Sequence, residues 1–194
     1  MMYRFVAFIA RIFFLLFYRV EYKGLENIPK SGALIVTCNH ISLLDMFLFA
    51  SRMPRKIHFM AKKELFSIPI INIIIKSLGA YPVNRGHGDR NAGKVTLQLL
   101  SEDKAVGIFP EGTRRKKNQK RIRPKVGAAL FALQSGAHIL PVGIFGSYRI
   151  FSKLKVVYGK PYIIDFPDGE KATKEDMQKM VDDLMEIIYS LDED

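Results

Sequence analysis

From residue 21 onward, short apolar runs alternate with stretches of helical periodicity, and this alternation restricts the chain more than any other feature. Ala33-Leu-Ile-Val-Thr-Cys38 reads as a buried strand, followed by a helix over about 42–51. His58-Phe-Met60 is a short strand, Pro69 opens an isoleucine-rich helix ending near Gly79, and 80–83 is extended. A helix over about 89–101 leads to a strand over 105–109, and a helix over roughly 125–135 leads to one over 139–145. Strands near 154–158 and 161–164 and a helix from Thr173 to Tyr189 follow. Runs apolar on both sides belong to strands covered on both faces, so the pattern predicts an α/β single domain with a largely buried sheet flanked by helices. At 194 residues the chain has about the length of one domain. With 48% hydrophobic and 25% charged residues it has the composition of a globular protein and not of a disordered one. A single cysteine excludes any disulfide within the chain and disfavours a cysteine-based zinc site.

Residues 1–20, MMYRFVAFIARIFFLLFYRV, stand apart from this alternation. On a helix, Arg4, Arg11, Tyr18 and Arg19 fall within roughly a 100° sector, and Phe, Ile, Leu and Val fill the rest. A transmembrane span needs ~20 mostly apolar residues, and two internal arginines oppose one. The segment predicts an amphipathic helix lying in a membrane interface with its basic stripe toward headgroups; the plainer alternative is a helix packed on the domain with its arginines solvated. The expected division is therefore 1–20 as docking helix and 21–194 as the folded domain. Arg4 and Arg11, with no small-residue cleavage pattern, do not fit a cleaved signal peptide, so the expected location is the cytoplasmic side.

The net charge of +11 is unevenly placed. Residues 168–194 hold ten acidic and three basic side chains, leaving residues 1–167 at +18. Such a field attracts nucleic acid, an anionic membrane or a phosphorylated substrate. Eight basic and no acidic residues lie between Arg114 and Lys125, but that run contains no aromatic for base stacking, which argues against nucleic acid.

Three stretches at the ends of expected strands could carry chemistry, since ligand sites of α/β sheets form at strand ends. In Asn39-His40-Ile-Ser-Leu-Leu-Asp45, His40 leaves a buried strand and Asp45 follows in the first turns of the next helix. A carboxylate on one ring nitrogen fixes the tautomer that lets the other accept a proton, although the same spacing fits a structural histidine capped by a helix-start carboxylate. In Phe109-Pro-Glu111-Gly112-Thr113-Arg114, glycine allows close backbone approach to a ligand and arginine offers a forked donor set for phosphate. Gly79-Ala-Tyr-Pro-Val-Asn-Arg85 delivers another arginine from an extended segment.

Together these stretches resemble the glycerolipid acyltransferase family. Asn39-His40 with Asp45 is similar to its NHx4D motif, and Phe109–Arg114 matches its FPEGTR motif at every position. Gly79–Arg85 resembles its second motif, with Pro82 in place of the usual Phe and Asn84 in place of Asp, and Leu140-Pro141-Val142 resembles its fourth. The resemblance covers roughly residues 21–165. It implies transfer of a fatty acyl group from acyl-CoA or acyl carrier protein to the sn-2 hydroxyl of 1-acylglycerol 3-phosphate (lysophosphatidic acid), giving phosphatidic acid. It further implies His40 as general base oriented by Asp45, and Arg114 with Glu111, Gly112 and Thr113 around the acceptor phosphate. Arg85 and Lys62 are added as further cations. Glu111, an acceptor, is expected to hold Arg114 or the loop and not the phosphate.

No metal or cofactor is expected, and the chain is expected on the cell membrane, peripheral on its cytoplasmic side, docked on anionic lipid. The alternatives are a non-catalytic protein binding anionic lipid and an acyltransferase acting on another lysophospholipid. The isoleucine-rich helix over 69–79 is expected in the core, with a membrane-touching or acyl-chain-lining element as its alternative.

Overall fold

The structure is a computed structural model and describes residues 2–84, 89–115, 119, 121–167 and 170–193. In chain order its elements are α1 (Met2–Phe17), β1 (Arg19–Lys23), β2 (Leu34–Cys38), α2 (Asp45–Ala50), β3 (Ile57–Lys62), α3 (Pro69–Ser77), β4 (Tyr81–Val83), α4 (Arg90–Ser101), β5 (Ala105–Ile108), α5 (Gly127–Ser135), β6 (His138–Gly146), β7 (Lys153–Tyr158) and α6 (Lys174–Ser190). The seven strands form one sheet in the order β1-β7-β6-β2-β5-β3-β4. Neighbours from β6 to β4 pair in parallel, β7 is antiparallel to β6, and β1 is parallel to β7.

Strand alternation divides the core in two. Leu34, Val36 and Cys38 of β2 and Leu140, Val142 and Ile144 of β6 pack with Phe14 of α1 and Leu48 and Phe49 of α2. Ile35, Val106 and Ile139 face the other way, against Leu100 of α4, Ala128 and Phe131 of α5, and Val181, Leu184 and Ile188 of α6. With both faces covered, β2 is buried at every position, the physical reason for a run that is apolar except at Thr37. Helix α6 begins where Thr173 and Asp176 exchange side-chain and backbone hydrogen bonds, a reciprocal cap that satisfies two amides.

Several expectations are corrected. The N-terminal helix stops at Phe17, and the end of the 1–20 segment enters the sheet as the edge strand β1. That strand is half-exposed along its length, so its apolar signal is diluted. The helix over 42–51 starts only at Asp45, because residues 41–44 form a loop around the Asp45 carboxylate. The expected strand over 161–164 is reduced to one bridge, Tyr162 to Ile139. Pro161 has no N–H to donate, so the ladder that Gly159 N still extends to Pro141 O is interrupted before Tyr162.

The isoleucine-rich helix is not a core helix. No residue of α3 is buried, and Ile70 and Ile73 are 73% and 71% exposed. Helix α1 has two faces. Phe14 is buried, Arg11 Nε donates to the Ser51 carbonyl at the end of α2, and Tyr3 bonds the Arg55 carbonyl. Phe5, Phe8, Ile9, Leu15 and Leu16 are exposed on the rest. The arginine stripe is thus partly spent on the domain, and the outward face is the apolar one. Among the described residues, no helix is long and apolar enough to cross a membrane.

Candidate active site

The site grows from the carboxyl ends of the parallel strands. His40 continues the alternation of Val36 and Cys38 just past β2. Asn39 before it is buried and clips the segment to β6: its Nδ2 donates to Ile144 O and its Oδ1 accepts from Ile144 N, both at 2.8 Å. This side chain substitutes for a rung of sheet pairing where the two strands part.

His40 Nδ1 lies 2.8 Å from Asp45 Oδ2, with His40 7% and Asp45 0% exposed. An ionised carboxylate only accepts, so Nδ1 carries the ring proton and Nε2 keeps its lone pair. The same Oδ2 accepts from the amides of Ile41 (2.7 Å) and Ser42 (2.8 Å), and Oδ1 accepts from the Tyr148 hydroxyl at 2.6 Å. Asp45 therefore shapes the loop and holds the imidazole with one group. The ring plane is set by Phe109, stacked on it at 4.0 Å between centroids. Phe59 lies beyond Phe109, and its ring occupies the space that a side chain at Gly107 would need.

The FPEGTR loop grips the His40 backbone from both sides. Glu111 Oε2 accepts from His40 N at 2.7 Å, and Arg115 N donates to His40 O at 2.8 Å. Glu111 is buried, and its other oxygen accepts from the Tyr189 hydroxyl of α6 at 2.9 Å. Burial, then the Glu111 charge, pushes the Tyr189 phenol up to about 12, so it remains a donor at neutral pH. Of the two roles expected for Glu111, the structure has it bonding backbone. Gly112 has φ +66°, a left-handed backbone conformation that strains any residue with a side chain and favours glycine.

His40 opens onto a groove of about 460 Å³, whose walls include Tyr3 and Val6 of α1, Leu43, Phe59, and Ile75 and Leu78 at the end of α3. Lys62 and Arg114 are its cationic lining residues. Lys62 pairs with Glu64 at 3.7 Å, Arg114 and Thr113 are exposed, and Arg85 lies outside the described residues. Cys38 sits beneath the histidine, fully buried. Burial and the charges of Asp45 and Glu111 push its thiol well up, which excludes it as a nucleophile at neutral pH.

Sequence reasoning singled out His40, Lys62 and Arg114, which line one groove, Asp45, which holds His40 from within the protein, and Glu111, which bonds the His40 backbone. It missed Asn39 as a clip, Phe109 as a stacking partner, and Tyr148 and Tyr189 as donors to the two carboxylates. The tyrosines lie 103 and 78 residues from the carboxylates they bond. Only strand order brings them there, and no local spacing signals it.

The comparisons with known proteins agree with this geometry. The acyltransferase family model matches residues 19–145. The chain is 31% identical to the 1-acyl-sn-glycerol-3-phosphate acyltransferase of Bacillus subtilis, over 98% of this chain and 97% of that one. It is 35% identical to the protein of that name from Borreliella burgdorferi, over 67% of this chain and 52% of the other. The crystal structure of the 1-acyl-sn-glycerophosphate (LPA) acyltransferase PlsC from Thermotoga maritima superposes with a TM-score of 0.76 at 27% identity, covering 98% of this chain and 79% of that one. The domain built around His40 and Asp45 is thus similar to these relatives in sequence and to the solved one in fold, and the chain belongs to the acyltransferase family.

Proposed function

We propose that this acyltransferase moves a fatty acyl group from an acyl thioester, acyl-CoA or acyl carrier protein, to the sn-2 hydroxyl of 1-acylglycerol 3-phosphate, giving phosphatidic acid. The observation that carries the reading is the buried His40–Asp45 pair at 2.8 Å, opening onto an apolar groove that also holds Lys62 and Arg114. The names of the relatives support the acceptor.

The acceptor hydroxyl gives its proton to His40 Nε2 as its oxygen attacks the thioester carbonyl. The C–S bond then breaks, and the leaving thiolate takes that proton from the imidazolium. Asp45, acceptor-only and fixed by four donors, keeps the ring in the working tautomer and stabilises the imidazolium as it forms. A positioned general base contributes roughly 10²–10⁴-fold. Every bond change is accounted for by substrate and imidazole, so the chemistry needs neither metal nor cofactor.

Arg114 and Lys62 hold the acceptor phosphate, with Gly112 and Thr113 shaping the loop, and Arg85 is a further candidate cation. The apolar groove accommodates an acyl chain, and its volume falls within the ~300–1,000 Å³ typical of ligand clefts. The exposed apolar faces of α1 and α3 border that groove and rest on the membrane in which the acceptor lies, which fits a peripheral enzyme on the cytoplasmic side of the cell membrane. Surrounding basic residues favour anionic lipid, at about 1 kcal/mol each near the surface.

The test offers purified protein palmitoyl-CoA or palmitoyl carrier protein with lysophosphatidic acid, lysophosphatidylcholine or glycerol 3-phosphate in parallel. Phosphatidic acid as the dominant product is expected. Preferential transfer to lysophosphatidylcholine would overturn the acceptor and leave the mechanism, and no transfer from either donor would favour a lipid-binding protein without catalysis.

A further inference from the structure

We propose that Tyr148 is a positioning residue for the His40–Asp45 pair: its hydroxyl fixes the Asp45 carboxylate and draws off part of its charge, and so sets the pH at which acyl transfer turns on. The proposal rests on His40 being the general base.

Tyr148 follows the end of β6, three residues beyond the stretch matched by the family model. Its hydroxyl approaches Asp45 Oδ1 at 2.6 Å, while the three other donors, His40 Nδ1 and the amides of Ile41 and Ser42, converge on Oδ2. Among the described residues Tyr148 is the hydrogen-bond donor to Oδ1. Without it a fully buried carboxylate oxygen loses its donor, and the carboxylate loses the contact that stops it turning about its own axis. The phenol ring is held in place by Tyr18, edge-to-face at 5.9 Å, and Tyr18 is itself packed against Phe14 of α1. Tyr148 does not line the groove, so it acts through Asp45 and not on substrate. Burial first, and then the Asp45 charge, raises the Tyr148 phenol well above its ordinary value, so it stays protonated and donating throughout the working pH range.

The charges around the pair determine the sign of the effect. Asp45 faces His40 from the start of α2, and Glu111 reaches its amide from the loop after β5. Cys38 of β2 and Tyr22 of β1 are the other titratable neighbours of Tyr148. Arg114 and Lys62 lie along the groove with His40, and Arg115 touches its carbonyl through the backbone. A hydroxyl donating to Oδ1 withdraws negative charge from Asp45. Removing it leaves more charge on Asp45, which holds the proton on His40 more firmly, and the base is then blocked up to a higher pH.

The experiment measures kcat/KM for lysophosphatidic acid with palmitoyl-CoA from pH 5 to 9 in wild type and four variants, H40A among them. In Y148F the acid limb is expected to move up by about half a unit to one unit, with the plateau within a few-fold of wild type. Y158F is the structural control: Tyr158 is buried in the same core and donates to Phe49 O at 2.6 Å, but does not touch Asp45. Its acid limb is expected to coincide with wild type. Replacing Tyr148 by 3-fluorotyrosine, a stronger donor of nearly the same shape, should move the limb down, which keeps the test decisive if Y148F folds poorly. An unmoved limb in both Tyr148 variants, or an equal shift in Y158F, would overturn the proposal while an inactive H40A left the base assignment standing. Full turnover by H40A would overturn the base assignment and this proposal together.

Discussion

The two sides of the groove are built by opposite means. On one side, His40, Asp45 and Glu111 are buried, and both oxygens of each carboxylate are bonded to named donors. On the other, α1 and α3 present Phe5, Phe8, Leu15, Ile70 and Ile73 as exposed side chains among the described residues. The first side needs direction, because a base must meet a proton at one angle and one distance, and hydrogen bonds supply direction. The second needs only apolar area, which has no preferred direction and suits an acyl chain and a lipid surface of variable composition. On the proposed reading, the buried polar groups stand where geometry is chemical, and the apolar surface stands where the partner is a fluid.

If the polar side is over-determined as described, its disruption gives the largest effect. Asp45→Ala should lower kcat by about 10³-fold or more, since the imidazole loses both tautomer and orientation. It should also lower the melting temperature, because the amides of Ile41 and Ser42 lose their acceptor. Full activity with an unchanged melt would contradict the dual role of Asp45.

Arg114→Ala should raise KM for lysophosphatidic acid roughly 10–100-fold, the worth of a charge-assisted contact, with kcat little changed. A fall in kcat alone would remove Arg114 from the phosphate site. Helix α1 tests the comparison within a single element. Phe14→Ala, on the buried face, should cost about 3–5 kcal/mol of stability by denaturant melt. Leu15→Glu, its neighbour on the outward face, should reduce binding to anionic vesicles without moving the melt. Equal effects on both observables would erase the distinction between the faces.

The smallest effect concerns α4, remote from the chemistry. Asp89 caps this helix by accepting from the amides of Asn91 and Ala92, and also bonds Asn84 N. These backbone hydrogen bonds, from Asn84 first, hold its carboxyl below the usual range. A lowered folded-state value means that the stabilisation is present above the unfolded carboxyl value and is lost as pH falls through the folded one. Asp89→Ala should therefore melt slightly earlier than wild type at pH 7, with the difference closing in strong acid.

The sequence announced the polar side well and the apolar side poorly. His40 and Asp45 are five residues apart, and the FPEGTR loop is contiguous, so their chemistry is written locally. Helix α3 reads as core from its sequence because nine residues with five isoleucines look the same whether covered by protein or by something else. Strand β1 was hidden because an edge strand buries little. Tyr148 and Tyr189 could not be found from spacing, since each reaches its carboxylate only through sheet order and the packing of α6.

The most direct test of the central claim is phosphatidic acid formation from lysophosphatidic acid and palmitoyl-CoA by wild type and by His40→Ala, with circular dichroism confirming that both are folded. The account predicts product with wild type and a loss of about 10²-fold or more in the folded variant. Product at the wild-type rate from His40→Ala would contradict it.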